Sequence, residues 1–148
     1  MKHIAKSFLV FFLLAAFALS LGGCAGNATK TYSTARTACE KFLLDNRERI
    51  ELLAKDAAAS QVTESKTVLE HTYYYGSDGY VYFSIGSQGM LGGQYWELVY
   101  TPGGSFCGET ETYAFREADG NNIVKAEKLA DNWWYCWRDF DGTPKSEQ

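Results

Sequence analysis

The period of the hydrophobic pattern changes once along the chain, and this change constrains the fold more than any other feature. Over residues 34–59, apolar side chains recur every three or four positions on one face of a helix: Ala35, Cys39, Phe42, Leu43, Ile50, Leu53 and Ala57. Charged side chains occupy the other face, with Glu51 four residues before Lys55. The pattern predicts one amphipathic helix, packed on the core, that Asp45-Asn46 could kink or divide.

After residue 65 the period falls to two, which is typical of strands. Turn signals at 76–79 (GSDG) and 118–122 (ADGNN) predict two hairpins, and the glycines of 86–93 predict a loop. Six strands are predicted, over 66–75, 80–85, 95–101, 111–117, 123–129 and 133–140. Their short connections favour antiparallel pairing, because parallel strands need longer crossovers. The sequence therefore predicts an α+β fold, with one N-terminal amphipathic helix packed on an antiparallel meander of five or six strands.

The N-terminal segment has the layout of an export signal. Lys2 and Lys6 precede an almost wholly apolar run that ends at Leu21, and two glycines separate this run from Cys24. A helix that spans a bilayer needs about 20 apolar residues, which is more than the run 8–21 supplies. The segment is therefore predicted to be a signal peptide rather than a transmembrane helix.

The motif Leu21-Gly22-Gly23-Cys24 resembles the lipobox of bacterial lipoproteins. This resemblance implies that a diacylglyceryl group is attached to the Cys24 thiol and that cleavage leaves Cys24 as the first mature residue. The predicted organisation is a signal peptide over 1–23, a flexible tether over 24–33 and a single α+β domain over 34–148. An ordinary signal peptide cut near Ala25 or Ala28 and a retained anchor are the alternatives.

The charge balance disfavours two classes of partner. The chain has 14 Lys and Arg residues against 18 Asp and Glu residues, and two of the lysines lie in the signal segment. An acidic domain lacks the basic patch that nucleic acid requires, and it is not attracted to anionic lipid. We therefore expect no nucleic-acid partner and expect attachment to the membrane through the N-terminal lipid alone.

Three cysteines follow the lipobox, and an exported protein can join two of them. A disulfide between Cys107 and Cys136 is favoured, because both residues lie in the strand-rich half. Cys39 lies on the apolar face of the predicted helix and is interpreted as a small buried hydrophobe. The alternative is that all three thiols stay reduced.

Three short segments carry a second resemblance. Residues 44–48 (LDNRE), 95–102 (YWELVYTP) and 130–135 (ADNWWY) resemble parts of small exported proteins of Firmicutes. No activity is attached to that group. The resemblance therefore implies a single helix-plus-sheet domain and nothing about chemistry.

Aromatic side chains are the main candidates for binding, because Tyr and Trp offer large, rigid contact area. Alternation places Trp133, Tyr135 and Trp137 on one face of the last strand, and Trp134, Cys136 and Phe140 on the other. One helix cannot cover both faces, so some aromatic side chains are exposed or the sheet curls around them. The candidate binding surface comprises Tyr73, Tyr75, Tyr80, Tyr82, Trp133, Tyr135 and Trp137. The alternative is that these residues pack in the core and pair across strands.

Catalytic and metal-binding patterns are weak. His71 is the only histidine after the signal segment, and no local motif pairs it with a cysteine nucleophile. The cysteines lack the paired spacing of zinc sites, and 139–142 (DFDG) lacks the later ligands of a calcium loop. No catalytic residue, metal or cofactor is therefore predicted. Acid–base carboxylates remain as an alternative, with Glu70, Glu97, Glu109 and Glu111 as the candidates.

Together these patterns predict a lipoprotein of the cell membrane, exposed on its extracytoplasmic face. The expected function is a non-enzymatic binding or accessory module whose partner is an envelope protein or a cell-wall glycan. The alternatives are a hydrolase of envelope polymers that uses carboxylates, and a structural envelope lipoprotein without a ligand site.

Overall fold

The computed structural model describes residues 31–89, 93–117 and 122–140. The predicted signal peptide over 1–23, the predicted lipidation site Cys24, and residues 118–121 of the second predicted hairpin turn lie outside these residues. The described chain begins with one helix, and seven strands follow it. This arrangement confirms the predicted α+β class.

The helix α1 spans Tyr32–Ser60. The side chain of Thr31 caps its start by accepting a hydrogen bond from the backbone N–H of Thr34, so the predicted tether 24–33 overlaps the cap and the first turn. Asp45-Asn46 does not divide the helix, since its hydrogen bonding continues through these residues. α1 lacks an apolar stretch of the length that a bilayer crossing requires.

The seven strands form one sheet in which every neighbouring pair is antiparallel. They are β1 (Lys66–Val68), β2 (His71–Tyr75), β3 (Val81–Gln88), β4 (Gln94–Tyr100), β5 (Thr112–Arg116), β6 (Ile123–Ala130) and β7 (Trp133–Asp139). The count is seven rather than five or six because the predicted strand 66–75 is broken by a turn at Leu69-Glu70. Both turn residues have positive φ, 48° and 68°, although neither is glycine.

The strand order corrects the predicted meander. The order is β1-β2-β3-β4-β7-β6-β5, so β4 pairs with β7 at the centre of the sheet. The connection 101–111 carries the chain from β4 to the far edge, and β6 and β7 then return towards the centre. Two short meanders therefore meet at the β4–β7 pair.

Different elements pack on the two faces of the sheet. α1 packs on the face formed mainly by β2, β3, β4 and β7, which we call the helix face. On the opposite face, which we call the far face, Phe106 of the connection 101–111 packs with Tyr82, Val99 and Trp134. This second layer was not predicted, and it explains how aromatic residues on both faces of β7 are buried.

Candidate functional site

A groove of about 720 Å³ lies on the far face, beside the area that Phe106 covers. Side chains of β2, β3, β4 and β7 contribute to it, and the β-bulge in β3 lies along one wall. The lining residues are Glu70, His71, Thr72, Tyr74, Ser84, Ile85, Gly86, Ser87, Tyr95, Glu97, Arg138 and Phe140. This groove is the candidate functional site.

Strand register brings the polar side chains of the groove together. Ser84 of β3 lies opposite Glu97 of β4, and Tyr95 lies opposite Arg138 of β7. Because side chains alternate along a strand, Tyr95 and Glu97 share the far face while Trp96 points to the helix face. The antiparallel pairing of β4 with β7 is therefore what places Arg138 beside Glu97.

A buried ion pair forms the floor of the groove. Only 6% of Glu97 is exposed, and its Oε2 atom accepts a hydrogen bond of 2.9 Å from Nε of Arg138. Tyr74 donates its hydroxyl to the other carboxylate oxygen at 3.2 Å. Burial raises the pKa of Glu97, and Arg138 and Tyr74 partly oppose this effect. An ion pair of this kind holds both side chains in one geometry, because removing either partner leaves a buried charge.

A second layer of contacts supports Arg138. Its guanidinium lies over the ring of Tyr82, with 5.2 Å from Cζ to the ring centroid. The hydroxyl of Tyr82 donates to Asp78, in the turn between β2 and β3. The floor of the groove is thus held by side chains of four strands and one turn.

Two exposed aromatic rings form the rim. Tyr95 is 41% exposed and Phe140 is 40% exposed, and their ring centroids lie 5.6 Å apart in a T-shaped arrangement. Neither ring is covered by α1 or by the connection 101–111. The groove therefore combines exposed aromatic surface with a polar, hydrogen-bonded floor, which is the usual composition of a ligand site.

The predicted aromatic surface does not exist as such, and this prediction was wrong. Tyr73, Tyr82, Trp133, Tyr135 and Trp137 are buried, and Tyr75 and Tyr80 are half-buried beside the core clusters. Tyr73 stacks on Phe83, and Trp137 stacks on Trp96. These residues serve as core and as cross-strand pairs, which was the alternative interpretation.

The histidine and the cysteines are not brought together as a catalytic pair. The His71 ring packs edge-on against Phe42 of α1, and its Nδ1 lies 3.2 Å from the carbonyl oxygen of Ser84. Cys39 is buried against the helix face, as predicted. Cys107 and Cys136 are not joined by a disulfide in the structure.

The candidate carboxylates separate into two groups. Glu70 and Glu97 both line the groove, whereas Glu109 and Glu111 are exposed in the connection 101–111. Over the described ranges, no group of three or more His, Cys, Asp or Glu side chains is placed to hold a metal ion.

Sequence reasoning missed Tyr95 and Arg138 as site residues and assigned Phe140 only to a strand face. A signal was present in 95–99 (YWELV), where one carboxylate stands in an otherwise apolar and aromatic strand. A buried carboxylate needs a partner, and Arg138 is the cation of the last strand, but the β4–β7 pairing that joins them could not be read from the chain.

Comparison with known proteins assigns no family to the chain, since no family model, curated protein or solved structure matches it.

Proposed function

We propose that the chain is a lipid-anchored, extracytoplasmic binding module whose groove binds a saccharide of the cell envelope. The observation that carries this proposal is the exposed Tyr95–Phe140 pair beside the buried Glu97–Arg138 pair. A sugar ring has an apolar face that packs on aromatic rings and an edge of hydroxyl groups that needs hydrogen-bond partners.

The groove offers both kinds of contact. Tyr95 and Phe140 supply apolar surface with little rotamer freedom to lose on binding. Tyr74, Glu97 and Arg138 supply donors and acceptors that are already fixed by their mutual hydrogen bonds. Because Glu97 and Arg138 neutralise each other, the floor is suited to an uncharged polyhydroxyl ligand better than to an anion.

The proposed anchor is a diacylglyceryl group on Cys24. A single acyl chain binds a membrane only marginally, whereas two chains at about 0.8 kcal/mol per buried methylene hold a protein stably. An intact-mass measurement of the membrane fraction tests this point. The expected mass is that of residues 24–148 plus the lipid. The Cys24→Ser variant should yield no lipidated protein.

The binding proposal is tested with the full chain, purified in detergent, against a panel of envelope polysaccharides and peptidoglycan fragments. Tyr95→Ala and Phe140→Ala should each weaken binding about tenfold, the equivalent of one aromatic contact. The matched control is Phe115→Ala, because Phe115 of β5 is similarly exposed, at 47%, but lies outside the groove. Equal losses for Phe115→Ala, or no saccharide binding by the parent chain, would contradict the proposal.

A second candidate, a glycoside hydrolase, is favoured by one observation: Glu70 and Glu97 line the same groove, beside aromatic rings. Paired carboxylates at about 5–9.5 Å can cleave glycosidic bonds. The same polysaccharides are therefore assayed for release of reducing ends. Loss of release in Glu70→Gln and Glu97→Gln, with Glu109→Gln unaffected, would assign hydrolysis, whereas binding without release favours the binding module.

A further inference from the structure

A second cluster of side chains lies on the far face, and it adjoins the floor of the groove at Glu97. Register places Cys136 of β7 between Glu97 of β4 and Ala126 of β6, and Ala126 lies opposite Tyr113 of β5. These four residues thus form one row across the far face. Ala126 is the smallest side chain in the row, yet it is fully buried, so another part of the chain must cover it.

The covering segment is the connection 101–111. The ring of Phe106 lies 5.7 Å from that of Trp134 and 5.4 Å from that of Tyr113. The next residue, Cys107, donates its backbone N–H to the hydroxyl of Tyr80 at 3.0 Å. Phe106 is thus seated on the far-face core, and Cys107 follows it at the surface.

A tight turn fixes the backbone at Cys107. Phe106 and Glu109 exchange two backbone hydrogen bonds of 2.9 Å, and the two residues between them, Cys107 and Gly108, have positive φ of 49° and 88°. A non-glycine residue adopts this conformation at a cost of about 1 kcal/mol or more. The turn therefore fixes the position of the backbone that carries the Cys107 thiol.

Cys136 belongs to the same buried far-face cluster as Phe106, the residue that directly precedes Cys107. Burial raises the pKa of Cys136 to about 12, and the nearby Cys107 contributes to the increase. Partial burial of the Cys107 thiol raises its pKa as well, although a hydrogen bond with Tyr113 opposes this effect. Cys39 lies on the helix face, across the sheet from this pair.

We propose that Cys107 and Cys136 form a reversible disulfide that fastens the connection 101–111 to β7 when the domain meets a disulfide oxidant. The proposal rests on the far-face cluster and is independent of what the groove binds. It assigns the exposed thiol the role of first nucleophile and the buried thiol the role of resolving partner.

The reaction is a thiol–disulfide exchange with a small or protein disulfide as the oxidant. The Cys107 thiol loses its proton and attacks one sulfur of the oxidant, which leaves a mixed disulfide and releases one thiol. The Cys136 thiol then loses its proton and attacks Sγ of Cys107, releasing the second thiol. The chain loses two protons and two electrons, and the oxidant disulfide gains them and becomes two thiols.

The test uses the full chain with the substitution Cys24→Ser. This variant keeps three of the four cysteines, namely Cys39, Cys107 and Cys136. The protein is equilibrated in buffers of oxidised and reduced glutathione, alkylated, and analysed by intact mass and peptide mapping. The expected result is loss of two alkylation sites under oxidising buffers and a peptide that links Cys107 to Cys136. The oxidised chain should also have a Tm about 10 °C higher, because the bond closes a long loop of the unfolded chain.

Two further variants control the assignment. Cys39→Ser should leave the linked peptide and the Tm increase unchanged, whereas Cys107→Ser should abolish both while folding like the parent, since Cys107 is exposed. The proposal is overturned if all three thiols stay alkylatable at every redox poise. It is equally overturned if the linked peptide contains Cys39.

Discussion

Gly86 shows how strictly a single residue can be determined by its neighbour. It lies within β3, not in the loop that the glycines of 86–93 predict, and the indole of Trp96 packs on its backbone. A Cβ atom at this position would lie 2.5 Å from the Trp96 ring. The close approach therefore requires glycine at this position.

We expect Gly86→Ala to lower the free energy of unfolding by about 1–3 kcal/mol, because Trp96 or the strand must shift. Urea denaturation measures the change. Gly103→Ala is the matched control, since a Cβ there would meet no atom within 4 Å. Similar losses for the two variants would show that the Trp96 contact is not the cause.

At the scale of the element, α1 ends at a residue in the left-handed conformation. Gln61 adopts the left-handed conformation, with φ of 52° and ψ of 28°, and its N–H donates to the carbonyl oxygen of Ala57. Glycine is the usual residue at such a position, because a Cβ atom disfavours it. The helix thus stops at a cap that its sequence does not optimise.

Gln61→Gly is accordingly expected to raise the free energy of unfolding by about 0.5–1 kcal/mol, as measured by urea denaturation. The neighbouring change Ser60→Gly serves as the control. It falls inside the helix and should destabilise the protein by up to about 1 kcal/mol. A loss of stability in both variants would argue against the left-handed cap.

Across the whole molecule, buried phenols determine the response to alkaline pH. Burial raises the pKa of Tyr82 and of Tyr135 well above the ordinary value of 10.0. Below pH 10 these groups are neutral in the folded and the unfolded chain, so the free energy of unfolding does not depend on their ionisation. Above pH 10 the unfolded chain ionises first, so the folded state loses stability as the pH rises.

The expected slope is about 1.4 kcal/mol per pH unit for each buried phenol, until the folded-state pKa is reached. The free energy of unfolding, measured between pH 8 and pH 11.5 (about the range over which a phenol of ordinary pKa ionises), gives the slope. Tyr135→Phe should reduce the slope by the contribution of one phenol, even though it also removes the 2.9 Å hydrogen bond to the Tyr32 carbonyl oxygen. An unchanged slope in this variant would contradict the assignment.

Local pattern sufficed for much of the fold. The 3.6-residue period located α1 to within two residues at its start, and the turn signals located the hairpins on either side of 76–79 and 118–122. The turn at Leu69-Glu70 was not predicted, because neither residue is one of the types that favour positive φ. Local signals are strong where a turn is built from residues that favour its backbone conformation, and they fail where it is not.

The candidate site was harder to predict because it depends on contacts between distant residues. The number of aromatic residues suggested a binding surface, but which rings stay exposed is decided by what covers each face. Phe106 covers the far face near Trp134 and leaves Tyr95 and Phe140 exposed. Glu97 was a candidate from its residue type, whereas its partner Arg138 became evident only once β4 and β7 were paired.

The β4–β7 pair also has a consequence for how the chain folds. The other strand pairs join neighbours in sequence across short turns, while β4 with β7 joins Gln94 to Asp139 and Tyr100 to Trp133. Closing that long loop carries an entropic cost before its contacts form. Pairing of β4 with β7 should therefore be the rate-limiting step of folding. The molecule then behaves as two fast-forming halves, and fragments made by cutting within the connection 101–111 should recombine into the native sheet.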